Sequence, residues 1–233
     1  SYEIWNEPDI DFWKGTTEEY LAIMKAAYEE IQAVHPEAVV LSGGIATTLG
    51  HGGHARNPDL IERMLVEYQD YYEAICLHEH GPFDRFLAAL RGPVAEYREQ
   101  IEPDKPLWFT ETGVASEDRI YQAHEMIKKF AYARVQGAIG FTYFVMQMGH
   151  ENGFALFSNQ QPYPIVAAYN EVTKLMRGKA VVASHDVGAR NWMIQFSGDN
   201  EHLFVYWDED ASTTGSRAMV RLPKGATAQI VDI

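Results

Sequence analysis

The sequence predicts an α/β protein followed by a small antiparallel β-domain, and three observations point to it. Across residues 1–178, short apolar runs alternate with longer stretches of helical period. From Lys179 onward the period changes to two. Two of the apolar runs, Ile4-Trp5-Asn6-Glu7-Pro8 and Phe109-Thr110-Glu111-Thr112-Gly113, reach a carboxylate and then break at Pro or Gly. A buried strand that stops in this way sets its carboxylate at the carboxyl edge of a parallel sheet, where α/β folds keep their chemistry.

The elements follow in order. After Pro8, a polar aromatic loop leads to Thr16-Thr17-Glu18-Glu19, a capping-box pattern. It opens a helix with Tyr20, Met24, Ala27, Tyr28, Ile31 and Val34 on one face and Pro36 at its close. Ala38-Val39-Val40-Leu41-Ser42 is a run of the fully buried strand type, and a long glycine-rich loop from Gly43 to Arg56 follows it. Asn57-Pro58 starts a second helix with Ile61, Met64, Leu65 and Tyr68 inward. Ala74 to Leu77 is a strand running into His78-Glu79-His80-Gly81, and the next helix spans Phe83 to Ile101 with a kink at Gly92-Pro93. Leu107 to Thr110 leads into Glu111, and Ser116 caps a helix that buries Ile120, Ile127, Phe130 and Ala131. Ala138 to Val145 is a further strand, and Pro164 opens a last helix with Tyr169, Val172 and Met176 inward, closed at Gly178. In the period-two region Trp192, Ile194 and Phe196 alternate with polar neighbours, Gly198-Asp199-Asn200 turns, and Leu203, Val205 and Trp207 alternate again. The division is therefore residues 1–178 and 179–233.

Composition narrows the ligand class. At 46% hydrophobic and 22% charged, the 233 residues are ordinary globular material. A net charge of -14 repels phosphate backbones and anionic lipid, which speaks against nucleic acid and membrane surfaces and favours a neutral or weakly charged ligand such as carbohydrate. The single cysteine, Cys76, sits in an apolar run and reads as a small core residue. No apolar run approaches the roughly 18 residues of a membrane span.

Five strand-helix units of roughly 35 residues each compare with roughly 250 residues for the eight units of a (β/α)8 barrel. Three units are therefore expected to be missing, and from the front, because Tyr2-Glu3-Ile4-Trp5 already reads as a strand.

The two motifs resemble those of a known group. Ile4-Trp5-Asn6-Glu7-Pro8 resembles the end of strand four in the clan A retaining glycoside hydrolases, and Trp108-Phe109-Thr110-Glu111-Thr112-Gly113 resembles the end of their strand seven. Families 39 and 5 look nearest. The resemblance implies a partial (β/α)8 or TIM barrel, strands four to eight, with the strands between the motifs as five and six and Ala138 to Val145 as eight. The appendage then becomes a β-sandwich-like domain. It also implies a retaining β-glycosidase acting on O-glycosidic bonds of oligo- or polysaccharides, with Glu7 as acid/base, Glu111 as nucleophile, Asn6 on the sugar 2-hydroxyl, and no cofactor or metal. One departure stands out: many members carry Trp at the end of strand eight, where this chain has Phe144-Val145-Met146-Gln147.

The chemistry is consistent with those roles. Retention needs one carboxylate to attack the anomeric carbon and another to protonate the leaving oxygen, about 5 to 5.5 Å apart. Burial and repulsion can keep one protonated while hydrogen-bond donors keep the other ionised. Adjacent strand residues face opposite sides, so Asn6 and Glu7 share a pocket only if the chain turns there, as Pro8 suggests. His78 and His80, at i and i+2, share a face; with His51 and His54 they could be read as a metal set, but orienting Glu111 or a sugar hydroxyl is the preferred reading. Tyr143 and Phe144 are the aromatic candidates for a sugar-facing platform, with core packing as the alternative. His150, Glu151 and Asn152 follow in a polar loop, and Glu151 is taken as a substrate contact.

A rival reading from another class is a carbohydrate-binding or interaction protein derived from this fold, or an inactive fragment of the full enzyme. Strands four to eight alone would leave two open edges, which predicts pairing with an amino-terminal half-barrel or with another copy.

Overall fold

The computed structural model describes residues 1–48, 57, 59–101, 105–146, 153–186, 191–198, 200–209 and 227–230. His51, His54, His150, Glu151 and Asn152 lie outside the described residues. The chain forms two compact units, Ser1–Ser116 with Gln136–Ala155, and Glu117–Val135 with Leu156–Ile233. It is a mixed α/β fold.

In the first unit, parallel strands follow one another in chain order. β1 (Tyr2–Glu3) pairs with β2 (Val40–Leu41), Tyr2 lying opposite Val40. Parallel bridges from Leu41 to Ala74 and from Ile45 to Leu77 carry β2 onto β3 (Ile75–His80). β3 pairs with β4 (Leu107–Gly113), and β4 with β5 (Ala138–Tyr143). Ile75 through Glu79 are buried without alternation, as expected of a parallel strand covered on both faces.

Parallel neighbours need crossovers. The first is α1 (Thr17–Val34), opened by the expected capping box: Thr16 Oγ1 accepts from the Glu19 amide at 3.2 Å, and Glu19 Oε2 accepts from the Thr16 amide at 2.8 Å. Tyr20, Leu21 and Met24 are buried and Ala27, Tyr28 and Ile31 half-buried, whereas Val34 is 82% exposed, so the cover on the expected face thins along the helix and is gone at its end. Between β2 and β3, α2 (Leu60–Glu62) runs into a π-helical turn at Arg63–Glu67 and a 3-10 turn at Gln69–Tyr71. The helix expected over Phe83 to Ile101 is two helices, α3 (Phe83–Arg91) and α4 (Pro93–Arg98). Gly92 leaves helical geometry, at φ −103° and ψ −110°, and Pro93 begins the second helix at a position where its missing N–H costs nothing.

In the second unit, α5 (Arg119–Val135) is capped by Asp118 and not by Ser116. Asp118 Oδ1 accepts from the Ile120 and Tyr121 amides at 3.0 Å, while the Ser116 amide donates to the Gly153 carbonyl at 2.9 Å. Ala123, Met126, Ala131 and Tyr132 form the buried face of α5, and Ile120 is 54% exposed. A short hairpin of β6 (Phe157–Ser158) and β7 (Gln161–Pro162) precedes α6 (Pro164–Met176), which packs against α5. β8 (Ala180–Asp186), β9 (Asn191–Gly198) and β10 (Glu201–Asp208) form an antiparallel sheet with β9 in the middle. The period of two is realised there: Trp192, Ile194 and Phe196 are buried, Trp192 stacks on Trp207 with centroids 5.9 Å apart, and Tyr132 meets Trp192 edge-on.

Candidate active site

The site is built where the first unit's parallel strands end. β3 and β4 run in register with His78 opposite Glu111 and His80 opposite Gly113, after a register shift between Leu77 and His78. Both strands reach further than the apolar runs suggest. His78, Glu79 and His80 belong to β3, and Glu111 sits within β4, because pairing between the two strands continues past the last apolar residue of each.

Glu7 arrives by a different route. β1 ends at Glu3, and the chain then turns through two non-glycine residues in the left-handed region, Trp5 at φ 76° and Glu7 at φ 45°. Each such residue costs roughly 1–3 kcal/mol and persists only where its surroundings over-determine it. Those surroundings are present. The buried Tyr20 hydroxyl donates to the Ile4 carbonyl at 2.8 Å, the Trp5 indole N–H donates to the Phe12 carbonyl at 3.1 Å, and the Gly44 amide donates to the Trp5 carbonyl at 3.4 Å. The next residue but one, Asp9, is buried and accepts from the Ala46 and Thr47 amides and from the Thr47 hydroxyl. The turn that was needed after β1 is therefore present, with Asn6 exposed upon it.

His78 joins the two motifs. It is 2% exposed, its Nδ1 lies 2.9 Å from Glu7 Oε1 and 3.8 Å from Glu111 Oε2, and its Nε2 lies 2.9 Å from Thr110 Oγ1 and 3.4 Å from Glu3 Oε1. Thr110 Oγ1 is also 2.9 Å from Cys76 Sγ. His80 Nε2 stands 3.6 Å from Glu111 Oε2. A carboxylate oxygen of Glu7, one of Glu111 and a ring nitrogen of His80 all lie within 4.8 Å of one another.

Charge in this cluster is distributed unevenly. Burial disfavours an imidazolium at His78, but contacts with Cys76, Glu3 and Glu7 outweigh burial and hold its pKa well above the ordinary 6.5. Burial also pushes the Cys76 thiol above its ordinary range. At Glu111 the contact with His80 and the charge on His78 hold the carboxyl below its ordinary range against the opposing effect of burial.

Of the residues singled out in the sequence, Glu7, His78, His80 and Glu111 are brought together. The Tyr143 hydroxyl bonds the backbone of Val114 at 3.4 to 3.5 Å. Phe144 meets His80 edge-on at 5.2 Å, and Phe154 lies 5.3 Å from His80 and 5.7 Å from Phe144. Glu3, Asp9, Thr110 and Phe154 were not picked out. A signal existed for Glu3, a charge inside an apolar strand, and for Thr110, the neighbour of Glu111.

Among the described residues, two sets of side chains have metal-like spacing, Glu7-His80-Glu111 and Glu3-Cys76-His78. In the second, both nitrogens of His78 are committed to Glu7 and Thr110, and the raised thiol pKa opposes the thiolate that a metal requires. In the first, Nε2 of His80 faces Glu111, an arrangement that serves a carboxylate's ionisation as readily as a cation. Neither set is assigned to a metal.

The α/β fold is similar to the folds of glycoside hydrolases of known structure. In particular, the chain is similar to a 4-O-α-L-rhamnosyl-β-D-glucuronidase from Fusarium oxysporum 12S (TM-score 0.63, 14% identity, 91% of this chain and 51% of that one). It is also similar to a glucosidase from Croceicoccus marinus (TM-score 0.60, 17% identity, 83% and 47%). A third is a GH128 (subgroup VI) exo-β-1,3-glucanase from Aureobasidium namibiae (TM-score 0.55, 13% identity, 72% and 64%). The matches thus span roughly half to two thirds of those structures' length. No family model matches the chain, and no curated protein does.

Proposed function

We propose that this chain is the strand-four-to-eight portion of a (β/α)8 clan A enzyme, a retaining β-glycosidase in which Glu7 is the acid/base and Glu111 the nucleophile. Residues 1–178 form its catalytic part and residues 179–233 a β-sandwich-like domain. The observation that carries the reading is the approach of Glu7 and Glu111 to within 4.8 Å between carboxylate oxygens, one on the turn beyond β1 and the other in β4, far apart in sequence. Retaining enzymes hold their carboxyl groups about 5–5.5 Å apart, whereas inverting ones leave about 6.5–9.5 Å for a water. The lowered pKa of Glu111 suits an ionised nucleophile, and His78, in contact with Glu7, suits the control of a group that gives and takes a proton.

In the first step Glu111 attacks the anomeric carbon while Glu7 protonates the departing oxygen. In the second, Glu7 takes a proton from water, which displaces Glu111. Asn6, on the turn beside Glu7, is proposed to bond the sugar 2-hydroxyl, Tyr143 and Phe144 to offer the sugar an aromatic platform with Phe154 beside Phe144, and His78 and His80 to orient Glu111 or a sugar hydroxyl. Glu151 stays a proposed substrate contact. The substrate is an oligo- or polysaccharide, neutral or weakly charged, in keeping with the chain's net charge of -14.

The same reading proposes that β1 and β5 pair with further strands, from an amino-terminal half-barrel or another copy. Tyr2 in β1 and Ile139 in β5 are 46% and 53% exposed, which supports it. A carbohydrate-binding derivative without turnover is the alternative.

Chemical rescue separates the two in a chain or assembly with measurable turnover. With an activated aryl glycoside, Glu111→Gly is expected to lose turnover and regain it with azide, giving a product of inverted configuration. Glu7→Ala is expected to give an azide product of retained configuration, because azide then enters after Glu111 has acted. Folded variants that azide rescues in neither case overturn the assignment.

A further inference from the structure

Glu3 takes no part in either motif's expected chemistry, yet its side chain reaches the centre of the site. It lies in β1, four residues ahead of Glu7, with Oε1 3.4 Å from His78 Nε2 and its side chain 23% exposed. Gly44 closes over this contact: a Cβ there would fall on both His78 Nε2 and Glu3 Oε1. The absence of a side chain at residue 44 is thus what lets the carboxylate and the imidazole meet.

The hydrogen-bonding options around the ring are few. A bare Nε2 would turn its lone pair toward a carboxylate oxygen, which is repulsive. A protonated Nε2 gives both Glu3 and Thr110 Oγ1 a donor, and the Thr110 hydroxyl can then donate its own proton to Cys76 Sγ, 2.9 Å away. Nδ1 faces Glu7 at 2.9 Å, and there too a proton is the group that fits.

We propose that Glu3 is a positioning residue of this site: it holds His78 as an imidazolium, with Nε2–H shared between Glu3 and Thr110 and Nδ1–H donated to Glu7, so that a fixed positive charge stands 3.8 Å from Glu111. The titratable groups facing the ring are Glu3 and Glu7 from β1 and its turn, Cys76 from β3 and Glu111 from β4. Tyr20, from α1, adjoins Glu3 and Cys76 and is kept neutral by burial. The arrangement confines the imidazole to a single rotamer and a single charge state. Any effect on turnover rests on the proposed glycosidase reading, but the proton on His78 does not, so the test reads the proton.

The full chain, labelled with 15N in its histidine rings, is titrated by NMR between about pH 6 and pH 11, and His78 is assigned by comparison with His78→Gln. In the native chain both ring nitrogens are expected to carry protons at pH 8. In Glu3→Gln the pH at which His78 loses its second proton is expected to fall by about 1–3 units, the effect of removing one opposite charge at this range. Should Glu3→Gln not fold, Glu3→Asp serves instead, since its retracted carboxylate is expected to lower the same titration. A native His78 with only one ring proton at pH 8 overturns the proposal. So does a folded Glu3 variant whose His78 titrates as in the native chain. Neither outcome depends on whether the chain cleaves a glycoside.

Discussion

Asp9→Ala is expected to destabilise the first unit strongly. Asp9 is 1% exposed, and its carboxylate accepts from the Ala46 amide at 3.1 Å, the Thr47 amide at 2.8 Å and the Thr47 hydroxyl at 2.6 Å. It ties the turn bearing Glu7 to the chain following β2. Truncation leaves these buried donors without that acceptor, and hydrogen bonds to a charged group contribute about 1.5–3 kcal/mol each. Relaxation of the loop and entry of water recover part of this, leaving a loss of about 3–5 kcal/mol. For a chain of this size each kcal/mol lowers the unfolding midpoint by about 2–4 °C, so the expected fall is about 6–20 °C. Circular dichroism melts of the native chain, Asp9→Ala and Asp9→Asn measure it. Asn keeps one oxygen in place and should lose less. A folded Asp9→Ala melting within about 2 °C of the native chain would refute the reasoning, since it would mean that the freed donors find other partners at no cost.

Thr16→Ala removes one half of the reciprocal cap on α1 and is expected to cost about 1 kcal/mol in urea unfolding; no change in the midpoint would show that the cap is redundant. Glu111 and His78 give opposite pH dependences. The Glu111 pKa is lowered, so its contribution is present above the ordinary 4.5 and is lost as pH falls through the lowered value. The stability gap between the native chain and Glu111→Gln should therefore move against the native chain on acidification from about pH 7 to pH 3, and a pH-independent gap would contradict the assignment. The raised pKa of His78 makes its contribution full below the ordinary 6.5 and progressively lost as pH climbs through the raised value, so alkaline titration of the native chain should show a gradual loss of stability.

Legibility in the sequence followed the range of the interactions involved. The Thr16–Glu19 cap joins atoms three residues apart, and its expected geometry is the one found. The same holds for the alternation of Trp192, Ile194 and Phe196, a period imposed by one strand with one buried face. Where two local signals competed, the outcome turned on a third partner. Ser116 and Asp118 both suit a helix cap, and the Ser116 amide pairs with Gly153, far along the chain, while Asp118 receives the helix amides. The apolar runs of β3 and β4 are shorter than the strands, because polar residues follow Leu77 and Phe109. In the fold their polar ends pair with each other and line the site.

By itself, the sequence determined the mixed α/β class, most of the alternation of strands and helices and the antiparallel strands after Lys179, because apolar period, caps and breakers act over a few residues. Only the tertiary structure decided that Glu7 lies on a left-handed turn beyond β1, that His78 links Glu3 and Glu7, and that Tyr143 serves Val114 while Phe144 and Phe154 flank His80. Those facts are sums of contacts between segments tens of residues apart. Their energies depend on strand register, backbone turns and burial, which no local pattern encodes.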